Sequence, residues 1–494
     1  MNIRPWTPIL LIALCLAVCY GMLMIPVTGD PEVSPGKRSP FVWDQDEYWS
    51  NLELTFDEYR KTNCNSLSQL ISMEMSSIDT MLSYIESNSL EPSASIFSEL
   101  ERDLFELAVL VGACPDHIED YVSLFGRIRI AVKNQSAHWD MNSAPSRDRV
   151  YRLVYGGRTA VEEVLLQSSG DSTPSVAIEF EEPSSTPSAV LHGVTVHSGD
   201  ILVSRGGAPT SALIARGSDY PGNFSHVALL HVDRNTSVMS VVESHIETGL
   251  GVSTIDEYIR DKKLRIMVLR LRSDLPSVVE DPVLPHRVAE YARNRAMSEH
   301  VPYDFAMNFE DHSKLFCSEV AYEAYEKFGI RLWMGLSHIS SRGVKLWLAA
   351  FGVENFETHE PSDLEYDPQL RVVAEWRDRE ALFKDHVDNA VVDVMLEAAE
   401  SGQQLEYTFY MLPIARIAKA YSYLLNRFGG VGPVPEGMSA TAALKNSWFS
   451  AKHGETCKQV MLQASEFEHR HGYSPPYWEL VRIARRVYRS LMQR

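Results

Sequence analysis

Between positions 67 and 85 the apolar residues Leu67, Ile71, Met75, Ile78, Leu82 and Ile85 recur every three or four places. Such a one-sided stripe predicts a helix with a single buried face. Further runs with the same period cover 97–113, 118–132 and 147–166, and the breakers "SNSLEPSAS", "CPDH" and "DMNSAPS" separate them. Residues 43–168 therefore read as a helical module. The stretch 169–189 is rich in Ser, Pro and Thr and reads as a linker. The period then changes. "HSGDILVSRGG", "FSHVALLHVD", "SVMSVVESHI" and "RIMVLRLR" are short, β-branched runs bounded by turn residues, which predicts strands. A helical run over 284–300 and another after Cys317 complete an α+β block over 190–377. Residues 378–494 return to helical spacing. In the last segment Leu480, Ile483, Ala484, Val487, Tyr488 and Leu491 share one face, with Arg482, Arg485, Arg486 and Arg489 elsewhere. A basic amphipathic helix can lie on an anionic membrane. Docking of its apolar face on the protein body is the reading preferred here.

The N-terminus departs from this pattern. After Arg4 an apolar run extends over 8–27, about 20 residues, enough to span a hydrocarbon core of ~30 Å. It is longer than the usual apolar core of a secretory signal. Residues 1–29 are therefore expected to be a membrane anchor or a signal peptide. That places the body outside the cytoplasm, on the periplasmic or extracytoplasmic side, anchored through 8–27. A lipid anchor on Cys19 is a weaker alternative, because Val18 stands where acylation sites want a small residue.

With 494 residues the chain is too long for one small core, and a net charge of −20 argues against a general nucleic-acid binder. Outside the N-terminal run four cysteines remain, Cys64, Cys114, Cys317 and Cys457, too few for a disulfide framework in so large a body. Cys64 and Cys114 are available to bridge the N-terminal helices. No C-x-x-C pair occurs, so a structural zinc site is not expected.

Candidate chemistry centres on "DHSKLFCSEVAYEAY" (311–325). Cys317 precedes a run with helical spacing, Val320, Ala321, Ala324 and Phe328, closed by Gly329. A cysteine at a helix start meets unpaired backbone N–H groups and the positive end of the dipole. Both favour thiolate, and the same amides can hold an oxyanion. Such a nucleophile needs a base. His226 opens a strand, sharing a face with Ala228 and Leu230, while His231 points the other way, so the two do not grip one metal. The base in turn needs an orienting group, and Glu243 ends the next strand. His245 competes for that role. Each of these residues taken alone is more often structural than catalytic. The sequon "NFS" (223–225) adjoins His226, where a glycan would crowd the site.

Together, "SGDILVSRGG", "FSHVALLHV", "VVES" and "PYDFAMNFEDHSKLFCSEVAYEAY" resemble the permuted papain-like amidases, relatives of the NlpC-type cell-wall peptidases and of the lecithin:retinol acyltransferase group. The resemblance covers about 196–380. It implies a circularly permuted papain-like domain, a small antiparallel sheet with packed helices, here flanked by all-helical modules. It implies a catalytic set of Cys317, His226 and Glu243, with Tyr303, Asp304, Ser225 and Ser318 as site wall or supporting shell, and no metal. Glu319 fits an ordinary first-turn acid. The implied activity is a cysteine hydrolase that cleaves a peptide or N-acyl amide bond of the cell envelope through an acyl-enzyme, chemistry that needs no cofactor. Two alternatives stay open: a lipid acyl hydrolase or acyltransferase using the same nucleophile, and a non-catalytic binding module.

Overall fold

The computed structural model describes residues 7–25, 33–36, 38–168, 176–333, 335–428 and 430–493. The N-terminal part is helical: α1 (Thr7–Met24), α2 (Asp46–Tyr59), α3 (Cys64–Ser87), α4 (Ser95–Ala113), α5 (Ile118–Ser136), α6 (Ala144–Val150) and α7 (Gly156–Gln167), the last two joined by a π turn over Tyr151–Tyr155. The stripe read from the sequence is the buried face of α3. Asn63 caps that helix, its side chain accepting from the Asn65 N–H. A Cys64–Cys114 disulfide ties the start of α3 to the residue after α4.

The middle of the chain carries the strands. In chain order these elements are β1 (Val176–Ile178), β2 (Ser188–Leu191), β3 (Val194–His197), β4 (Ile201–Gly206), α8 (Pro209–Arg216), β5 (His226–Val232), β6 (Met239–His245), β7 (Gly249–Thr254), α9 (Ile255–Arg260), β8 (Lys263–Leu271), α10 (Pro276–Glu280), α11 (Leu284–Ser298), α12 (Glu319–Glu326), β9 (Ser337–His338), α13 (Arg342–Phe351), β10 (Glu357–Thr358), α14 (Asp363–Tyr366) and β11 (Leu370–Trp376). Seven strands form an antiparallel sheet in the order β1-β11-β8-β4-β5-β6-β7. The α+β class expected from the sequence is what the chain adopts. Alternation along β5 sends Val227 and Leu229 to the face covered by α11 and α12, and Ala228 and Leu230 to the face covered by the β2–β3 hairpin and α9. The chain closes with α15 (Arg379–Glu400), α16 (Leu412–Asn426), α17 (Ala440–His471) and α18 (Tyr477–Met492).

Four features differ from, or sharpen, the sequence reading. First, the stretch read as a linker contributes β1, an edge strand paired with β11 in the register Val176↔Trp376. Second, the helical N-terminal part and the sheet share one hydrophobic core, so the boundary near 169–189 is no break in packing. Buried ion pairs cross it too. Arg158 pairs with Glu162 on its own helix and with Glu365 of α14, each at 2.7 Å, and Arg265 of β8 pairs with Glu162 and Asp385. Third, the apolar face of α18 is buried against α15 and α17, while Arg482 pairs with Glu53 and Arg485 with Glu397, each at 2.7 Å. The docking reading of this helix is the one the structure shows. Fourth, the segment expected to span a membrane over 8–27 forms an 18-residue helix, with 26–27 outside the described residues. At 1.5 Å per residue it rises ~27 Å, short of a ~30 Å core. Among the described residues no helix is long and apolar enough to cross a membrane.

Candidate active site

The site forms where β5 outruns its neighbour. Pairing of β5 with β6 stops at Ala228↔Glu243, while β4 still pairs with β5 as far as Ser204↔His226. The backbone at 225–227 is therefore open on its β6 side. Cys317 fills that slot. Its thiol donates to the Ser225 carbonyl at 3.6 Å, and the nearby Val227 N–H favours its thiolate form. The thiol thus takes the place of a missing strand residue's donor, with Ser225 and Val227 one backbone unit to each side of His226. Ser244 secures the approach, its hydroxyl donating to the Leu315 carbonyl at 2.6 Å. Cys317 lies just before the helix proper, with Ser318 at the N-cap of α12.

The imidazole and carboxylate are joined. His226 Nε2 and Glu243 Oε2 are 2.8 Å apart, and the Ser253 hydroxyl donates to Glu243 Oε1 at 2.5 Å. His245 binds that same oxygen at 3.1 Å, and its ring stacks with that of His226 at 5.7 Å between centroids. Glu243 is thus the shared partner of two imidazoles and a hydroxyl. With Nε2–H on the carboxylate, His226 Nδ1 keeps its lone pair, as a base requires. No hydrogen bond joins Cys317 to His226 among the described residues. The ring leaves the sheet on the Ala228 face, and the thiol sits in the slot at the strand edge.

Electrostatics match a resting, uncharged pair. Burial pushes the Cys317 thiol up to about 11, against the opposing pull of the Val227 N–H and Ser318. Burial likewise lowers His226, and the Glu243 hydrogen bond only partly restores it. For Glu243 burial works upward, but hydrogen bonds from His226 and His245 win and hold it well below the usual carboxylate range. His245 is raised, first by its hydrogen bond to Glu243. A pre-formed thiolate at the helix start is therefore not what the site presents, because desolvation outweighs the amides.

The remaining candidates divide. Tyr303 lies close enough to Cys317 for the sulfur to raise its phenol, after burial, so its side chain is near the thiol. Asp304 instead braces a turn, accepting from Ala306 N–H at 3.0 Å and Asn308 N–H at 2.6 Å. Ser225 presents its carbonyl to the thiol while its hydroxyl bonds Ser211. Ser318 is fully buried beside the sulfur. Glu319 is a first-turn acid of α12, as expected. It is buried, accepts the Phe316 N–H at 2.9 Å, and is pushed up to about 9 by burial. It lines a pocket of about 210 Å³ with Tyr322 and His359, one turn along α12 from the thiol. Ser253 escaped the sequence reading altogether. Its place beside Glu243 follows from the β6–β7 register Val241↔Ser253, which puts it on the carboxylate's face.

Groups that could hold a metal lie elsewhere. Among the described residues they are Cys64, Cys114 and Asp116, two of which form the disulfide; His231, His286 and Glu290; and Asp388, His453 and Cys457. No curated protein matches the chain. Residues 195–374, which carry β4 to β10 and most of β11 together with Cys317, His226 and Glu243, match the family model described as permuted papain-like amidase enzyme, YaeF/YiiX, C92 family.

Proposed function

We propose that the chain is a cysteine hydrolase of permuted papain-like build that cleaves an amide bond, peptide or N-acyl, through an acyl-enzyme on Cys317. The observation that supports it most is the His226–Glu243 bond, which engages Nε2 and leaves Nδ1 to act as base, while the Cys317 thiol docks on the carbonyl of the residue before His226. In this reading the Cys317 side chain turns out of the strand slot toward Nδ1. His226 takes its proton, and the thiolate attacks the substrate carbonyl. The Val227 N–H and the amides at the start of α12 are donors for the oxyanion. His226 then protonates the leaving amine and activates water to free the acid. Glu243 holds the ring in the required tautomer and steadies the imidazolium. Every step uses this chain's own residues, and metal or organic cofactors have no part in it.

The disulfide between Cys64 and Cys114 fits an oxidising, extracytoplasmic location, and a substrate of the cell envelope accords with that. Transfer or hydrolysis of a lipid acyl group through the same thioester is the second reading, favoured by the apolar surface around α16. The deciding experiment is a panel of peptide stems, N-acyl amines and phospholipids with wild type, Cys317→Ser and His226→Ala. Turnover of an amide substrate that both variants abolish is the expected result. If Cys317→Ser retains every activity found, the hydrolase reading fails. If only phospholipids are turned over, the second reading replaces it.

A further inference from the structure

Helix α16 has two apolar faces, and only one is used. Leu412 and Ala415 pack on Ala440 and Leu444 of α17, and Ala418 packs with Val434, Met438 and Ala442. On the other side Ile414, Ile417, Tyr421, Leu424 and Phe428 follow at alternating three- and four-residue steps, the spacing that normally seals a core. Here they face outward: Ile417 is 62% exposed, Leu424 57% and Phe428 83%. The patch is wider than a coiled-coil seam, since Phe409, Tyr410, Tyr423 and Val431 are exposed as well. Patches of this extent on a protein surface mark an interaction site.

Charge says which kind. From 407 to 435 the chain has no Asp or Glu, and its charges are Arg416, Lys419 and Arg427, in a protein whose net charge is −20. Aromatic residues flank the apolar stripe, as they do where side chains sit at the headgroup level of a bilayer. The second apolar helix of the molecule lies alongside. α1 packs on α16, the Arg416 guanidinium donates to the Leu23 and Ile25 carbonyls at 2.8 Å each, and the Tyr20 hydroxyl donates to the Tyr410 carbonyl at 3.0 Å. Leu16, Val18 and Met22 of α1 are themselves exposed. Two adjacent helices with outward apolar faces make a plane rather than a groove.

We infer that α16, side by side with α1, is a membrane-docking surface that lies in the interface of an anionic bilayer. α16 sinks its stripe into the acyl boundary, and Arg427 meets headgroups. The inference is independent of the chemistry assigned to Cys317.

The test is hydrogen exchange by mass spectrometry on the full chain, with vesicles of phosphatidylglycerol and phosphatidylcholine or of phosphatidylcholine alone, alongside vesicle flotation. Anionic vesicles should slow exchange over 409–428. The variant Ile417→Asp/Leu424→Asp/Phe428→Asp, changed only at exposed positions, should keep the wild-type unfolding curve and lose at least tenfold in vesicle partitioning. Arg427→Gln should lower the preference for anionic vesicles about fivefold, the equivalent of ~1 kcal/mol per cation near such a surface. Protection confined to α1 while 409–428 exchanges freely would overturn the inference, as would undiminished flotation of the triple variant. Protection of 409–428 that grows with protein concentration in the absence of vesicles would also overturn it and assign the face to a second copy of the chain.

Discussion

At the scale of single residues, the thiol in the strand slot makes a prediction that separates two resting states. A thiolate–imidazolium pair would alkylate at a rate flat down to acid pH. Cys317, held up to about 11, should instead react slowly with iodoacetamide at pH 7 and speed up about tenfold per pH unit through pH 9. A plateau below pH 6 would show that the pair is charged at rest. Turnover has a different profile, because it depends on a neutral His226. With that imidazole lowered by burial, kcat/KM should hold as pH falls past the ordinary imidazole range and drop only below it. Glu243→Gln should cut kcat on the order of 10²-fold with KM little changed, since the amide holds the ring but cannot steady its charge. Ser253→Ala should cost far less, as His245 still binds the same carboxylate oxygen. The chain order His226, Glu243, Cys317 is legible from local spacing, with His226 at a strand start and Cys317 at a helix start, but Glu243 does not end its strand as expected, because pairing with β7 carries β6 on to His245. The partners of the thiol are not legible. They depend on where β5–β6 pairing stops, a long-range register that local spacing does not carry.

At the scale of elements, two constraints bear on the site. Gly249, in the left-handed region at φ +75°, turns β6 into β7, and a Cβ there would meet the Val301 carbonyl oxygen at 2.1 Å. That close approach brings the 301–303 segment, and so Tyr303, near the sulfur. Gly249→Ala should destabilise the fold by more than ~1 kcal/mol and lower activity beyond what the lost stability explains, measured by denaturant unfolding and steady-state kinetics. The disulfide encloses a sequence separation of 50 residues. By loop entropy its removal should cost up to about 4 kcal/mol, so Cys64→Ser should unfold at clearly lower denaturant while Cys15→Ser should not. The stripe of α3 and the face of α18 are readable because each side chain's period reports one continuous buried surface. β1 is not. It is three residues long, sits in a Ser- and Pro-rich stretch, and exists only because β11 offers it an edge. Nor is α16, where apolar spacing alone cannot tell a buried stripe from an exposed one.

At the scale of the whole molecule, buried charge binds together parts that the sequence separates. Glu162 of α7 meets Arg265 of β8 and His386 of α15. Burial works to lower His386, but its hydrogen bond to Glu162 and its ion pair with Glu163 outweigh it and push the imidazole up to about 9. A raised group stabilises most below its unfolded value of ~6.5, and the gain is lost as pH climbs through about 9. The fold should therefore weaken by roughly 3 kcal/mol between pH 6 and 10 on account of this residue. His386→Gln should flatten that slope in urea titrations. Composition marks the change from helical to strand-bearing sequence near 169–189. The continuity of the core across it is hidden, because Arg158 and Glu162 look like an ordinary surface pair one helical turn apart.

The strand slot has one more consequence, and it concerns redox survival. In an oxidising compartment, where a disulfide persists, oxidants attack thiolates. Sulfenic acid forms first, and sulfinic and sulfonic acids beyond it end the life of a nucleophile. By docking as a surrogate strand residue, protonated and out of solvent, Cys317 offers peroxide almost no anion to strike. The reactive form would then exist only while a substrate holds the side chain out of the slot. Exposure to damage would scale with turnover rather than with time.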